Sequence, residues 1–252
     1  MNDPFALVAL GIVMVRPGVL IITTPIFGGT HVPPQIRIAL SVILGLLVMP
    51  AVQVPTNLSA WAIAVLVAGE VVIGVGLSMA VRVLVAGAEL AGHVVGFQIG
   101  FSYASLVDPM TGVRNNMLAL LYSSLTIVTF LGINGHHALL RVMAESYTVL
   151  PIGAWHIGPS MLSAIVRLLG IVFLLGVQLA MPIVIVLLMV ELMLGLLSRV
   201  APALNLMVVG FPVRVGLGLL ALAVGVQAVP GAIARYAPAA LEVALRLAWN
   251  PR

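Results

Sequence analysis

Residues 89–116 read ELAGHVVGFQIGFSYASLVDPMTGVRNN. Together with the preceding residue, small side chains recur at every fourth position, Ala88, Gly92, Gly96, Gly100 and Ala104, while Val94, Val95, Phe97, Ile99 and Phe101 occupy the other faces. Residues four apart lie one above the other on a helix. The stretch is therefore expected to form a helix with a groove down one side, into which another helix backbone can come unusually close. Asp108-Pro109 then ends the helix, because Pro109 lacks an amide hydrogen and holds Asp108 in extended geometry. Beyond it comes a polar loop, Met110, Thr111, Gly112, Val113, Arg114, Asn115 and Asn116. In an apolar chain such irregular backbone is tolerated only where it lines protein or water.

Working outward, the chain has 252 residues, of which 62% are hydrophobic and only 7% charged, with a mean hydropathy of +1.26. Soluble domains carry about 25% charged residues, and several apolar runs here approach the roughly 20 residues that cross a bilayer as a helix. The expected fold class is all-α, a polytopic helical membrane protein with about six hydrophobic segments. Continuous apolar runs without period-two alternation argue against a transmembrane β-barrel. All eleven basic residues are arginine. Without lysine there is neither a phosphate-binding P-loop nor a Schiff-base site for pyridoxal chemistry. Without cysteine there are no disulfides, iron–sulfur clusters or thiolate metal sites. The net charge of +4 comes from scattered arginines and makes no nucleic-acid surface. No cofactor is expected.

In chain order, a first apolar segment covers residues 5–27 and reads as a retained membrane segment, interrupted at Arg16-Pro17. A mid-helix arginine costs at least about 2.5–3.5 kcal/mol in a bilayer, so Arg16 must face protein, water or headgroups. Pro17 is expected to break the helix. A polar hinge at 28–37 precedes a run at 38–54 framed by Pro50 and Pro55. A third run, 60–81, buries Glu70, and Arg82 divides it from the groove helix. Arg82, Glu89 and His93 stand at intervals of seven and four, nearly on one face, which suits a structural ion pair or an inter-subunit contact better than a proton relay. Residues 117–133 form a run that stops at Asn134-Gly135-His136-His137, a turn or cap; its adjacent histidines diverge by about 100° on a helix and no carboxylate or third histidine stands at ligand spacing, so no metal is expected there. In the run at 138–150, Arg141 and Glu145 stand at salt-bridge spacing. A loop at 151–159 carries the interfacial aromatic Trp155. Residues 161–197 exceed one span, and Arg167, Gln178 and Pro182 are expected to divide them into a kinked or broken pair. The last strong run, 206–229, ends in a Pro230-Gly231 turn, and the tail at 232–252 reads as an amphipathic helix lying at an interface.

Read together, Arg16-Pro17, PIFG at 25–28, Pro34 with Arg37, GFQIGFSYAS at 96–105, VDP at 107–109, NGHH at 134–137 with LPIG at 150–153, RVAPALN at 199–205 and GFP at 210–212 resemble, in that order and spacing, the FliR family of flagellar type III secretion export-gate proteins. The resemblance covers nearly the whole chain as a single domain, 1–252. It implies a structural, non-enzymatic subunit that assembles, one copy per complex, with several FliP-like and FliQ-like subunits into a helical complex of kinked hairpins. It implies further contacts with FlhB-like and FlhA-like export proteins, a place in the bacterial inner membrane at the flagellar basal body, and a central pore for unfolded flagellar export substrates. Much of such a complex is expected above the membrane plane. By the same resemblance the loop from Asp108 to Asn116 is the plug that narrows the closed pore. Asp108 and Pro109 carry over from the family pattern, whereas Arg114 as a pore-facing residue does not.

Three other readings fit fewer residues. Injectisome export-gate relatives share the architecture but match the GFQIGFSYAS and VDP stretch less well. A small-molecule secondary transporter is suggested by Glu70, Glu89, Arg82 and the broken helices, yet no internal repeat of the usual kind is visible. An intramembrane enzyme using Asp108 or His136-His137 lacks a nucleophile, base and orienting partner at recognisable spacing.

Overall fold

The computed structural model describes residues 4–29, 32–55, 59–101, 116–155, 158–201 and 206–248. Among these residues every regular element is a helix: α1 (Pro4–Thr23), α2 (Pro25–Gly28), α3 (Pro34–Val48), α4 (Ala60–Ile99), α5 (Met117–Gly132), α6 (Gly135–Val149), α7 (Pro159–Val200), α8 (Leu206–Gly225) and α9 (Val229–Ala248). Short 3-10 turns follow α3 at Met49–Ala51 and α8 at Val226–Ala228. Four stretches, Pro34–Ala51, Ala60–Ile99, Met161–Val200 and Val208–Arg246, are long and apolar enough to cross a membrane, and α5 with α6 makes a fifth if that broken pair is one span. The protein is a polytopic all-α membrane protein, with four or five such spans among the described residues against the expected six or so segments.

The lower count has a simple origin. Arg82 does not divide the third run from the groove helix: α4 is one helix of 40 residues, about 60 Å long at 1.5 Å per residue. Likewise α7 runs unbroken for 42 residues with Pro182 inside it. Pro17 does not break α1. Nor does Pro230-Gly231 form a turn, because both residues lie in the first turn of α9, where a proline's missing amide has no helical acceptor to lose.

The chain divides into two compact units. One comprises Met1–Val83, Phe130–Gly170 and Ala237–Arg252, the other Leu84–Thr129 and Ile171–Tyr236. In the first, α1 and α3 pack as an antiparallel hairpin. Gly45 faces Met14, where a Cβ would stand 3.4 Å from the Met14 Cα, and Gly18 faces Ser41. The hairpin's connection is held by Arg37, whose guanidinium donates to the carbonyls of Gly29 and Val32. The first half of α4 lies parallel to α1. Glu70 meets Arg16, Gly74 meets the Arg16 carbonyl and Val19, and Arg82 Nε donates to Thr23 O at 2.6 Å. Gly74 makes this approach feasible, since a Cβ there would lie 2.9 Å from both Arg16 O and Val19 Cβ. Between α5 and α6, Asn134 adopts the left-handed conformation (φ 58°, ψ 27°), and Gly135 leaves room for the Phe130 ring, which a Cβ would meet at 2.6 Å. Trp155 packs on α4 at Gly69.

In the second unit α4 and α5 form an antiparallel pair, with Gly92 against Ala119 and Gly96 against Asn116. Helices α7 and α8 form another, with Leu194 against Gly210, Leu187 against Gly218 and Ile183 against Gly225. An ion pair between Glu191 and Arg214 (3.2 Å) lies in the same register.

The terminal helix differs from the interfacial expectation. Its apolar face, Val229, Ala232, Ile233, Ala237, Ala240, Leu241 and Ala244, recurs with helical period and is buried within the protein itself. Arg235, Glu242 and Arg246 remain exposed, the last two paired at 2.6 Å.

Candidate functional site

Two constellations concentrate the polar chemistry. The first surrounds Arg16, which is wholly buried beside an equally buried Glu70. Arg16 Nε donates to Glu70 Oε2 at 2.7 Å and Nη2 to Oε1 at 3.0 Å, a two-pronged pair. Nη1 donates to Ser146 Oγ at 2.8 Å and Nη2 also to Leu150 O at 3.1 Å. The Ser146 hydroxyl in turn donates to Met143 O. The guanidinium carbon lies 3.9 Å from the centre of the Tyr147 ring, an additional cation–π contact.

Tyr147 has a second task. In a regular helix the amide of residue 17 would donate to Val13 O, but Pro17 has no amide hydrogen. The Tyr147 hydroxyl donates to that carbonyl instead, at 2.8 Å. A single side chain of α6 thus flanks the buried cation and fills the hydrogen-bond gap one residue further on, and α1 continues through its proline. Arg16 and Glu70 are each conspicuous in the sequence, whereas Ser146, Tyr147 and Leu150 are not. The only local signal for Tyr147 is the Arg16-Pro17 dipeptide, which creates two unmet needs without naming what meets them.

The second constellation is built on Gly92, Gly96 and Gly100. A Cβ at residue 92 would stand 2.6 Å from both Ala119 N and Leu118 O, and one at residue 96 would stand 2.7 Å from Asn116 Cγ. The groove is therefore occupied, at these two positions, by the start of α5 of the same chain. Asn116 Oδ1 accepts the Leu118 amide at 3.0 Å and its Nδ2 donates to Gly92 O at 3.2 Å, with His93 O at 3.5 Å. The first bond caps α5; the second ties that cap to α4. Gly100 serves a different purpose from its small neighbours. Its φ of 104° terminates α4, and the amides of Gly100 and Phe101 both return to Gly96 O at 3.2 and 3.0 Å, the closure that a glycine after a helix makes. Ala88 is buried.

Of the other candidates, Ala104 of the groove and Asp108, Pro109, Met110, Thr111, Gly112, Val113, Arg114 and Asn115 of the loop lie outside the described residues; Asn116 is the loop's described end. Arg82 is exposed and His93 is exposed, while Glu89 is half-buried. The ion pairs among the described residues join Arg16 to Glu70, Arg214 to Glu191 and Arg246 to Glu242. Arg82 is not paired with Glu89, because its Nε is engaged by the end of α1. Arg141 and Glu145 are both exposed and do not form the bridge their spacing allows. The rings of His136 and His137 are tilted by 39° with centroids 4.2 Å apart. The Glu191–Arg214 pair has no signal in the sequence, where a connection between two helices separates its partners.

These features define a multi-pass helical membrane protein whose deepest charges are neutralised by its own packing. The family described as Bacterial export proteins, family 1, matches residues 7–238. The chain is 34% identical over 221 residues to Flagellar biosynthetic protein FliR of Pectobacterium carotovorum subsp. carotovorum, covering 86% of this chain and 83% of that protein. It is 32% identical over 215 residues to the protein of that name from Escherichia coli K12, covering 83% and 81%. With the Bacillus subtilis protein it shares 27% over 217 residues, 84% of each chain. The chain belongs to the FliR family of bacterial export proteins.

Proposed function

We propose that this chain is a structural, non-enzymatic subunit of the flagellar type III protein export gate. It would assemble in the bacterial inner membrane, at the flagellar basal body, with FliP-like and FliQ-like subunits and contact FlhB-like and FlhA-like proteins, forming the pore for unfolded flagellar subunits. The observation that carries this reading is the 34% identity over 86% of the chain to a protein named for flagellar biosynthesis, with the family match extending over residues 7–238. The antiparallel hairpins α1/α3, α4/α5 and α7/α8 agree with a subunit made of helical hairpins. Many apolar side chains on α7 and α8, including Leu192, Met193, Leu196, Phe211 and Leu220, are more than half exposed, as suits faces that meet lipid or other helices.

In this reading the loop at 108–116 is the pore's plug, supported by the resemblance. The test is complementation. A strain of the source bacterium lacking this chain should assemble no filaments and export no flagellin, and the intact chain should restore both. Normal export in the deletion strain would overturn the proposal. Deleting residues 110–115 should preserve assembly while admitting ions across the membrane; unchanged ion permeability would remove the plug role.

A further inference from the structure

We infer that Arg16, Glu70 and Tyr147 form an assembly latch that lets α1 dock only when both α4 and α6 are in place. Helix α1 cannot settle alone. It carries Arg16 but no acidic residue, its described apolar portion, Leu7–Thr23, is short, and Pro17 leaves Val13 O without its helical donor. The cation finds its counter-charge 54 residues later and its hydroxyl partner 130 residues later. Val13 O finds a donor 134 residues later. A helix synthesised first therefore depends on two synthesised after it, and it does so through groups whose burial without partners is strongly unfavourable.

The latch also fixes orientation. An apolar stripe would tolerate α1 turned or slid along α4, but a two-pronged guanidinium–carboxylate pair is met in one register only. That register brings Gly74 against the Arg16 carbonyl and Arg82 to Thr23 O. The inference concerns this chain's own folding and does not depend on the proposed export role.

The chain has no cysteine, so Leu20→Cys, at a wholly buried position of α1, gives a single reporter in the full-length protein. Its reaction with N-ethylmaleimide would be followed in native membranes. In the otherwise unaltered chain the thiol should be protected. Glu70→Ala should raise the labelling rate by about tenfold or more, because an uncompensated charge is left buried. Tyr147→Phe, which keeps the ring and removes the hydroxyl, should raise it by about threefold. Arg16→Met combined with Glu70→Met should restore protection to within about twofold, since the need for a counter-charge disappears with the charge. Unchanged protection in Glu70→Ala would overturn the latch. So would a double variant that labels as fast as Glu70→Ala, since lost volume would then explain the effect. If Glu70→Ala fails to accumulate, accumulation of the double variant supports the latch and failure of both overturns it.

Discussion

The side chain of Asn116 lies against the Cα of Gly96, in the space a Cβ would occupy, while the Gly96 carbonyl receives the amides of Gly100 and Phe101. One residue of α4 is thus the point at which both ends of the segment between α4 and α5 are fastened. Gly96→Ala should force Asn116 from its place and destabilise the protein by about 1–3 kcal/mol, as overpacking does. Gly92→Ala should cost more, because the obstacle there is the backbone of Leu118 and Ala119, which cannot rotate away. Thermal unfolding of the purified chain in detergent checks the order. A control is Gly170→Ala in α7, where nothing lies within 4 Å of the added atom; it should be neutral or stabilising by up to about 1 kcal/mol through helix propensity.

Asn116 itself combines a cap with a tie. Asn116→Ala should cost about 1 kcal/mol for the lost cap, plus the lost tie to Gly92 O. Asn116→Ser keeps an acceptor for the Leu118 amide but is too short to reach Gly92 O, so its unfolding midpoint should fall between those of the alanine variant and the native chain. Equal midpoints for serine and alanine would show that the cap contributes nothing.

At Gly100 the constraint is the backbone. A φ of 104° is strained for any side chain with a Cβ, at roughly 1–2 kcal/mol. Gly100→Ala should therefore destabilise even though its added methyl is small, and Gly100→Val should do so more strongly. Hydrogen exchange at the Phe101 amide, accelerated in both variants, would locate the effect at the end of α4.

The buried cluster gives a graded series. Glu70→Ala leaves Arg16 unpaired inside the protein and should cost about 3–5 kcal/mol. Tyr147→Phe leaves only the Val13 carbonyl unsatisfied, about 1–3 kcal/mol. Unfolding in denaturant should rank the two in that order; a larger loss in Tyr147→Phe would mean that the proline gap, and not the charge, dominates.

The legibility of these features in the sequence depends on the range of each interaction. Hydropathy is sufficient for the helical membrane class, and the spacing of Gly92 and Gly96 for a close-packed groove, because both are local patterns. That the groove is occupied by this chain's own α5 depends on contacts such as the one between Gly92 and Ala119, which no local pattern reveals. Arg82 and Pro182 look like boundaries because a charge or a proline in an apolar run usually marks one. Here Arg82 reaches Thr23 O, and α7 carries Pro182 in its interior. Pro17 looks like a break because Tyr147, which repairs the helix there, lies far along the chain. Glu70 and Arg16 each stand out, but no periodicity links residues 54 apart, so each can be suspected and the pair cannot be named. Gly100 reads in the sequence as one more groove position on a helix carried to Asp108, whereas α4 ends at Ile99 with Gly100 as its left-handed cap (φ 104°), a backbone conformation that the four-residue spacing does not reveal.

The central claim, that this chain is a gate subunit, is tested most directly by native mass spectrometry of the tagged chain co-expressed with the FliP-like and FliQ-like proteins of the same source. A defined hetero-oligomer containing one copy of this chain is the predicted result. A stable monomer or homodimer that takes up neither partner would contradict the claim.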